Sequence, residues 1–201
     1  VWEADSPIEE VSSRNKNGMF PLPLNQNIID GNHIYFYDNV SNTSILTLNR
    51  NLYSLAKDLL AEAVEEDREP ASIYLHINSP GGSLTDGFSG MDSILSCKVP
   101  VITIVEGMVA SAATLLSVVG KERRMRKHSY MMIHQLSHVM WGTYAEFEDN
   151  KKNLDKLMDM LYNIYLTHTK VSKNQLEEIL KHDLFFTAEE CLNLSLIDKI
   201  I

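Results

Sequence analysis

The sequence predicts an α/β fold with a parallel sheet, and three observations support that class. Short apolar segments alternate with segments of helical periodicity from residue 33 to residue 201. The segment 101–105 (VITIV) is apolar throughout, as expected for a strand that is buried on both faces of a parallel sheet. No internal repeat or low-complexity tract interrupts the alternation. Strands and helices that alternate in this way form parallel sheets through right-handed crossovers.

The predicted elements can be taken in chain order. They are strand 33–37, helix 48–66, strand 72–78, helix 86–95, strand 101–105 ended by Gly107, buried helix 110–119, strand 126–134 and helix 143–169. Two capping boxes, Ser172 with Gln175 and Thr187 with Glu190, then predict the starts of two short helices. A turn at 182–186 separates these helices, and the second leads to the segment 196–201.

The domain organisation follows from a change in composition near residue 31. Residues 1–31 are rich in Asn, Pro and Ser without sustained periodicity, so we expect an irregular N-terminal arm. Residues 32–201 are expected to form a single domain. The helix at 143–169 far exceeds the mean helix of about 11–12 residues. We therefore expect it to project and contact another subunit, with a plain core helix as the alternative.

Composition excludes several classes of function. The chain has 18 Lys and Arg against 27 Asp and Glu, a formal net charge of −9, which argues against a nucleic-acid partner. The basic run 121–127 (KERRMRK) is predicted to be a solvated turn. The longest charge-free apolar stretch, 107–120, is too short to span a bilayer, so no membrane association is expected.

The location of the protein is predicted from two further features. Acidic residues at positions 5, 9 and 10 stand where a signal peptide needs a basic and then an apolar segment. Cys97 and Cys191 lie far apart in a cysteine-poor chain and are expected to be reduced thiols. Both features favour a cytoplasmic protein.

Candidate chemistry lies at the carboxyl ends of predicted strands, where open parallel sheets bind ligands. The loop 79–83 (SPGGS) carries paired glycines whose N–H groups could approach a ligand, or it is a plain tight turn. Ser111 falls at a strand-to-helix junction among alanines, as a nucleophile or as a helix cap. His134 follows an apolar strand and could serve as its base. The spacing of His134 and His138 lacks a third ligand, so no metal or other cofactor is expected.

Four motifs then carry a family resemblance. They are INSPGGSLTDG (77–87), EGMVASAATLLSVVGKERRM (106–125), MMIHQ (131–135) and DLFFTAEECLNLSLIDKI (183–200). In order and approximate spacing these motifs resemble ClpP, the serine peptidase chamber of the Clp ATP-dependent proteases. The resemblance covers roughly residues 33–201, and the chain is identified as a divergent member of that family.

The resemblance implies a fold and a set of site residues. The fold would be the ClpP/crotonase-like arrangement of stacked βαβ units, with a projecting handle helix at about 143–169. Ser111 would be the nucleophile, His134 the general base and then acid, and Asp183 the group that orients the imidazole. The backbone N–H groups of Gly82 and Ala112 would form the oxyanion hole.

The resemblance also implies an assembly, a tetradecamer of two stacked seven-membered rings that an AAA+ unfoldase supplies with unfolded polypeptides. The chain departs from the family at Leu136, where proline is common, and at His182, where arginine often stands. Only Gly142 remains of the glycine-rich stretch after His134, and the family's usual N-terminal segment is not recognisable in residues 1–30. Two alternatives stay open, a non-catalytic subunit of a mixed ring and a crotonase-like enzyme acting on a CoA thioester.

Overall fold

The described strands form one branched sheet whose central strands run parallel. The structure, a computed structural model, describes residues 28–137 and 139–201. The strands are β1 (Ile28–Asp30), β2 (His33–Phe36), β3 (Ile73–Ser79), β4 (Val101–Ala110), β5 (Glu122–Met125), β6 (Tyr130–Met132), β7 (Phe185–Phe186) and β8 (Lys199–Ile200). The sheet order is β1-β2-β3-β4-β5-β8, and β6 branches from β4 and pairs with β7. Only the pairs β1–β2 and β6–β7 are antiparallel among the described strands, which confirms the predicted α/β class.

The helices connect these strands as βαβ units. They are α1 (Asn42–Glu65), α2 (Leu84–Leu95), α3 (Ala113–Val118), α4 (Tyr144–His168), α5 (Lys173–Leu180) and α6 (Ala188–Asn193). Helix α1 begins before the predicted residue 48 because Ser41 caps it. The Ser41 side chain accepts from the N–H of Ser44, and the Ser44 hydroxyl accepts from the N–H of Ser41. The two capping boxes that start α5 and α6 are present as predicted.

The core lies between the sheet and helices α1 to α3. Alternate side chains of β2 and β3, such as Phe36 and Leu75, are fully buried together with Leu48 and Leu52 of α1. The whole of α3 is buried, as the small-residue run predicts. This packing fixes the strands rigidly, and so fixes the residues that follow their carboxyl ends.

The prediction that Gly107 ends the fourth strand is wrong. Strand β4 continues to Ala110 and exchanges partners on the way, pairing with β5 over Ile102–Val105 and with β6 from Met108. Gly107 has φ +60, and the register against β3 shifts at this point. A positive φ at glycine produces a bulge that bends the strand instead of ending it. The bend carries the last residues of β4 past the edge of β5.

The basic run 121–127 is not a simple solvated turn, because β5 occupies its centre. Arg123 lies in the middle of this strand, and its side chain is only 11% exposed. Its guanidinium donates to the carbonyl oxygens of His168 and Ser195 and to the carboxylate of Asp198. These contacts join β5 to the end of α4 and to the segment before β8.

Other boundaries differ from the predictions in detail. The strand predicted over 126–134 is confined to β6, because residues 126–129 form a turn closed by the Ser129 N–H and the Arg126 carbonyl. The turn predicted at 182–186 contains β7, and the last helix ends at Asn193, before β8. Of the predicted N-terminal arm, residues 1–27 lie outside the described residues, and residues 28–30 form β1.

Helix α4 packs on the domain mainly through its C-terminal half. Among its residues only Leu161 and Tyr165 are buried, and residues 144–156 are exposed apart from partial burial at Asn150 and Leu154. A helix that packs along its whole length would bury an apolar stripe throughout. The plain core-helix alternative therefore fits only the C-terminal half of α4, and contact of its N-terminal half with another subunit stays a prediction.

Candidate active site

Ser111 lies on the sharp turn between β4 and α3. Its φ is +55, a left-handed conformation that costs a non-glycine residue roughly 1–2 kcal/mol. The Ser111 N–H donates to the carbonyl of Met132 in β6 at 2.8 Å, which holds the turn against the neighbouring strand. The cap position of α3 is Ala112, without a side-chain hydrogen bond, so the helix-cap interpretation of Ser111 is wrong. Its hydroxyl is therefore left for another partner.

That partner is His134, which follows β6. Strands β4 and β6 are parallel with Ala110 opposite Met132, so Ser111 and His134 leave the sheet side by side. His134 Nε2 lies 2.8 Å from Ser111 Oγ, within hydrogen-bond distance. The side chain of His134 is 21% exposed, so the pair is partly shielded from solvent.

Asp183 reaches the same histidine from the other side of β6. Strand β7 is antiparallel to β6 with Phe185 opposite Met132, and continuing that register brings Asp183 opposite His134. Asp183 Oδ1 lies 3.2 Å from His134 Nδ1, within ion-pair distance, although the Asp183 side chain is 76% exposed. The structure therefore brings all three predicted side chains together, with Asp183 at the solvent edge.

Gly82 belongs to a loop that is fastened to the segment before α1. The Gly81 carbonyl accepts from the N–H of Val40 at 2.8 Å. Because a peptide unit is planar, fixing that carbonyl also fixes the direction of the Gly82 N–H, which belongs to the same unit. At Gly81, with φ +95, a Cβ would meet the Ser111 Cβ at 2.7 Å, so only glycine allows the loop to lie this close to the serine.

A cavity of about 260 Å³ joins these groups. Gly82, Ser111, Ala112 and His134 all line it, and Leu161 and Tyr165 of α4 form part of its wall. Within the described chain, the backbone N–H groups of Gly82 and Ala112 donate to no other group. Two free amide donors beside a hydroxyl–imidazole pair can stabilise an oxyanion formed when the hydroxyl adds to a carbonyl.

The sequence analysis missed several residues that build this site. Val40 holds the glycine loop, Thr114 contacts the Ser111 carbonyl, and Tyr165 lines the cavity. Tyr165 lies in the predicted helix 143–169, which the sequence analysis expects to contact another subunit. Nothing in the local sequence marks Val40.

A second polar cluster lies among side chains of β2, β3 and β4, outside the lining of the cavity at Ser111. His76 is 4% exposed and contacts His33 at 2.8 Å and Glu106 at 3.0 Å, while Glu106 also accepts from Tyr37 and Arg126. Burial alone would raise the pKa of Glu106, but the hydrogen bonds from Tyr37, His76 and Arg126 outweigh it and lower the pKa. Burial and the Glu106 carboxylate raise the pKa of Tyr37 to about 12. His76 is thus a buried group whose two ring nitrogens both have hydrogen-bond partners.

The described residues contain neither a metal-binding cluster nor a membrane-spanning helix. Among residues 28–137 and 139–201, no group of three or more His, Cys, Asp or Glu is arranged to hold a metal ion. His138, the second member of the predicted i, i+4 pair, lies outside the described residues. Within the described helices, none combines the length and apolar character needed to cross a bilayer.

Comparison with known proteins agrees with this architecture. The family described as Clp protease matches residues 30–201. A protein of Protochlamydia amoebophila (strain UWE25), named ATP-dependent Clp protease proteolytic subunit 1, is 33% identical over 179 residues. That alignment covers 87% of this chain and 82% of the relative. The chain therefore belongs to the Clp protease family, of which it is a divergent member.

Proposed function

We propose that this protein is a serine endopeptidase subunit of a ring-shaped compartmental protease, which hydrolyses peptide bonds of unfolded polypeptides. The observation that carries the proposal is the 2.8 Å contact between His134 Nε2 and Ser111 Oγ. Asp183 within 3.2 Å of the opposite ring nitrogen supports the same assignment. Acyl transfer to serine requires a nucleophile, a base in contact with it, and a carboxylate that contacts and orients the base.

The proposed chemistry follows the geometry of the site. Ser111 Oγ attacks the peptide carbonyl carbon while His134 Nε2 takes the hydroxyl proton. The N–H groups of Gly82 and Ala112 donate to the oxygen of the tetrahedral intermediate, and His134 then returns the proton to the leaving amine. Water, activated by the same histidine, releases the acyl group from Ser111.

The assembly forms the second part of the proposal. We assign the protein to two stacked seven-membered rings in the cytoplasm, fed by an AAA+ unfoldase. The exposed N-terminal half of helix α4 and the relative's name, which describes an ATP-dependent protease subunit, support this. Light-scattering chromatography tests it, since rings elute far above the monomer mass. A single 22.8 kDa species at every concentration would contradict the chamber.

The catalytic proposal is tested by intact-mass analysis after incubation with a fluorophosphonate. Ser111 Oγ attacks phosphorus, fluoride leaves and His134 takes the proton, so only an activated serine gains the adduct. We expect one adduct on Ser111 in the wild type and in His128→Ala, a matched variant at an exposed histidine. His134→Ala should show none. A wild type that assembles but takes no adduct would favour the non-catalytic subunit instead.

A crotonase-like activity on CoA thioesters has less support. Such an enzyme shares a backbone oxyanion hole but has no need of a serine bonded to a histidine, and here Ser111 and His134 are in contact. The family match to Clp proteases over residues 30–201 points the same way. The fluorophosphonate experiment separates the two, since a crotonase-like site offers no activated serine.

A further inference from the structure

A chain of two buried hydroxyl groups links helix α4 to the backbone beside Ser111. Thr114 is fully buried and Tyr165 is 1% exposed. Thr114 Oγ1 lies 2.6 Å from the Ser111 carbonyl oxygen and 2.5 Å from the Tyr165 hydroxyl oxygen. The Thr114 N–H also donates to the same carbonyl at 3.0 Å.

The direction of the hydrogen bonds in this chain is fixed by chemistry. A carbonyl oxygen can only accept, so the Thr114 hydroxyl proton is directed to Ser111. Tyr165 must then donate to Thr114 Oγ1, which has no second proton to give. Burial raises the pKa of Tyr165, so its phenol keeps the proton that this donation requires. Consecutive hydrogen bonds of this kind polarise one another, which strengthens the hold on the carbonyl.

The carbonyl held in this way belongs to the peptide unit that contains the Ala112 N–H. Because the unit is planar and trans, its C=O and N–H point in opposite directions. Anchoring the Ser111 carbonyl on Thr114 therefore orients the Ala112 N–H on the side away from Thr114. Ala112 lines the cavity that Ser111 and His134 also border, and Tyr165 closes part of its wall.

We propose that Thr114 and Tyr165 are positioning residues whose hydroxyl chain holds the Ser111–Ala112 peptide so that the Ala112 N–H meets the substrate oxyanion. This inference rests on the proposed peptidase function. The packing of α4 then helps to orient the oxyanion hole, because Tyr165 is, with Leu161, one of the two buried residues of that helix.

Three hydroxyl deletions distinguish positioning from stability. Thr114→Val removes both hydrogen bonds of its hydroxyl and leaves the buried Tyr165 hydroxyl without an acceptor. Tyr165→Phe leaves Thr114 able to donate to the carbonyl. The double variant removes both hydroxyls, so no buried hydroxyl is left unpaired and thermal stability should recover relative to Thr114→Val. The carbonyl, however, stays without its side-chain donor.

The assay measures kcat and KM on a fluorogenic peptide, with the melting temperature recorded in parallel. We expect kcat to fall roughly ten- to a hundredfold in Thr114→Val and in the double variant, with KM within about threefold of wild type. Tyr165→Phe should lose about threefold to tenfold, and Thr114→Ser should recover most of the kcat lost in Thr114→Val. The pH profile should not move, because none of these changes touches the Ser111–His134 contact.

Thr103→Val provides the matched control. Its buried hydroxyl donates to the carbonyl of Ser117 at 2.7 Å, toward the far end of α3 and away from the cavity. This variant should lose stability while keeping kcat. The inference is overturned if kcat in the double variant recovers together with stability, or if Thr114→Val keeps wild-type kcat. A wild type without activity or fluorophosphonate adduct would instead overturn the proposed function, and this inference with it.

Discussion

Replacing Gly82 by alanine tests whether its N–H stabilises the oxyanion. Gly82 has φ +146, and a Cβ at this position would lie 2.2 Å from the carbonyl oxygen of Val40. Ordinary contact at a Cβ begins at 3.4 Å. The loop and Val40 must therefore separate by about 1 Å, a displacement that can cost roughly a hundredfold in rate.

The expected loss follows from the geometry of the donor. An oxyanion donor acts at about 2.7–3.1 Å, and a retreat of about 1 Å removes most of its hydrogen bond. We expect kcat to fall by about 10²–10³, equivalent to about 2.7–4 kcal/mol of transition-state stabilisation. KM should change little, because the oxyanion exists only after attack. Steady-state hydrolysis of a fluorogenic peptide measures both constants.

Gly31→Ala separates backbone strain from displacement. Gly31 has φ +57 in the turn between β1 and β2, and a Cβ there would meet nothing within 4 Å. This substitution should cost about 1 kcal/mol of stability through strain alone and leave kcat unchanged. A folded Gly82→Ala protein with kcat within about threefold of wild type would refute the oxyanion role of Gly82. Equal losses of kcat in both variants would show that strain, and not displacement, is responsible.

Three further predictions concern the charged groups. Asp183→Asn should lower kcat by about 10–10², less than the roughly 10⁴ of a buried triad aspartate, because the Asp183 carboxylate is largely exposed; a loss near 10⁴ in peptide hydrolysis would contradict this. Arg123→Ala should lower the free energy of unfolding by about 1.5–3 kcal/mol, because two partly buried carbonyl groups lose a charged donor; urea denaturation giving a change under about 0.5 kcal/mol would exclude that role. Because the pKa of Glu106 is lowered in the folded protein, its ionised form stabilises the fold at pH values above the usual carboxyl pKa, and this stabilisation is lost as the pH falls through the folded-state pKa. The melting temperature of Glu106→Gln should therefore depend less on pH in the acid range than that of the wild type. Parallel curves of melting temperature against pH would refute the assignment.

The parts of the site that follow strand ends could be predicted from the sequence. One apolar run leads to Ser111 among alanines, and another leads to His134. This pattern predicts that both side chains lie at one edge of a parallel sheet. The structure brings Ser111 and His134 together for that reason, through the parallel pairing of β4 with β6. The family resemblance supplied Asp183, because the two-residue strand β7 that directs it is too short to produce a period in the sequence.

The wrong predictions for residues 121–127 and for Gly107 have a common physical cause. In both places, side-chain contacts with residues far away in sequence decide the local structure. Arg123 lies in a run that local composition describes as solvated, yet carbonyl groups at residues 168 and 195 and the Asp198 carboxylate accept from its guanidinium. Gly107 looks like a strand end, but the neighbouring Asn78 side chain accepts from the Met108 N–H and the strand continues through a bulge. Neither partner can be identified from spacing alone.

The two amide donors of the proposed oxyanion hole are each held through the carbonyl of their own peptide unit, but by different parts of the chain. Val40, before α1, holds the peptide of Gly82, and Tyr165 of α4 holds that of Ala112 through Thr114. A shift of α4 that breaks the Thr114–Tyr165 bond would therefore reach the oxyanion hole without separating Ser111 from His134. If neighbours in a ring set the position of α4, assembly should change kcat at a constant pH profile. The test measures the pH profile of kcat above and below the concentration at which rings form. A pH profile that moves on assembly would instead assign the coupling to His134 and the Asp183 carboxylate.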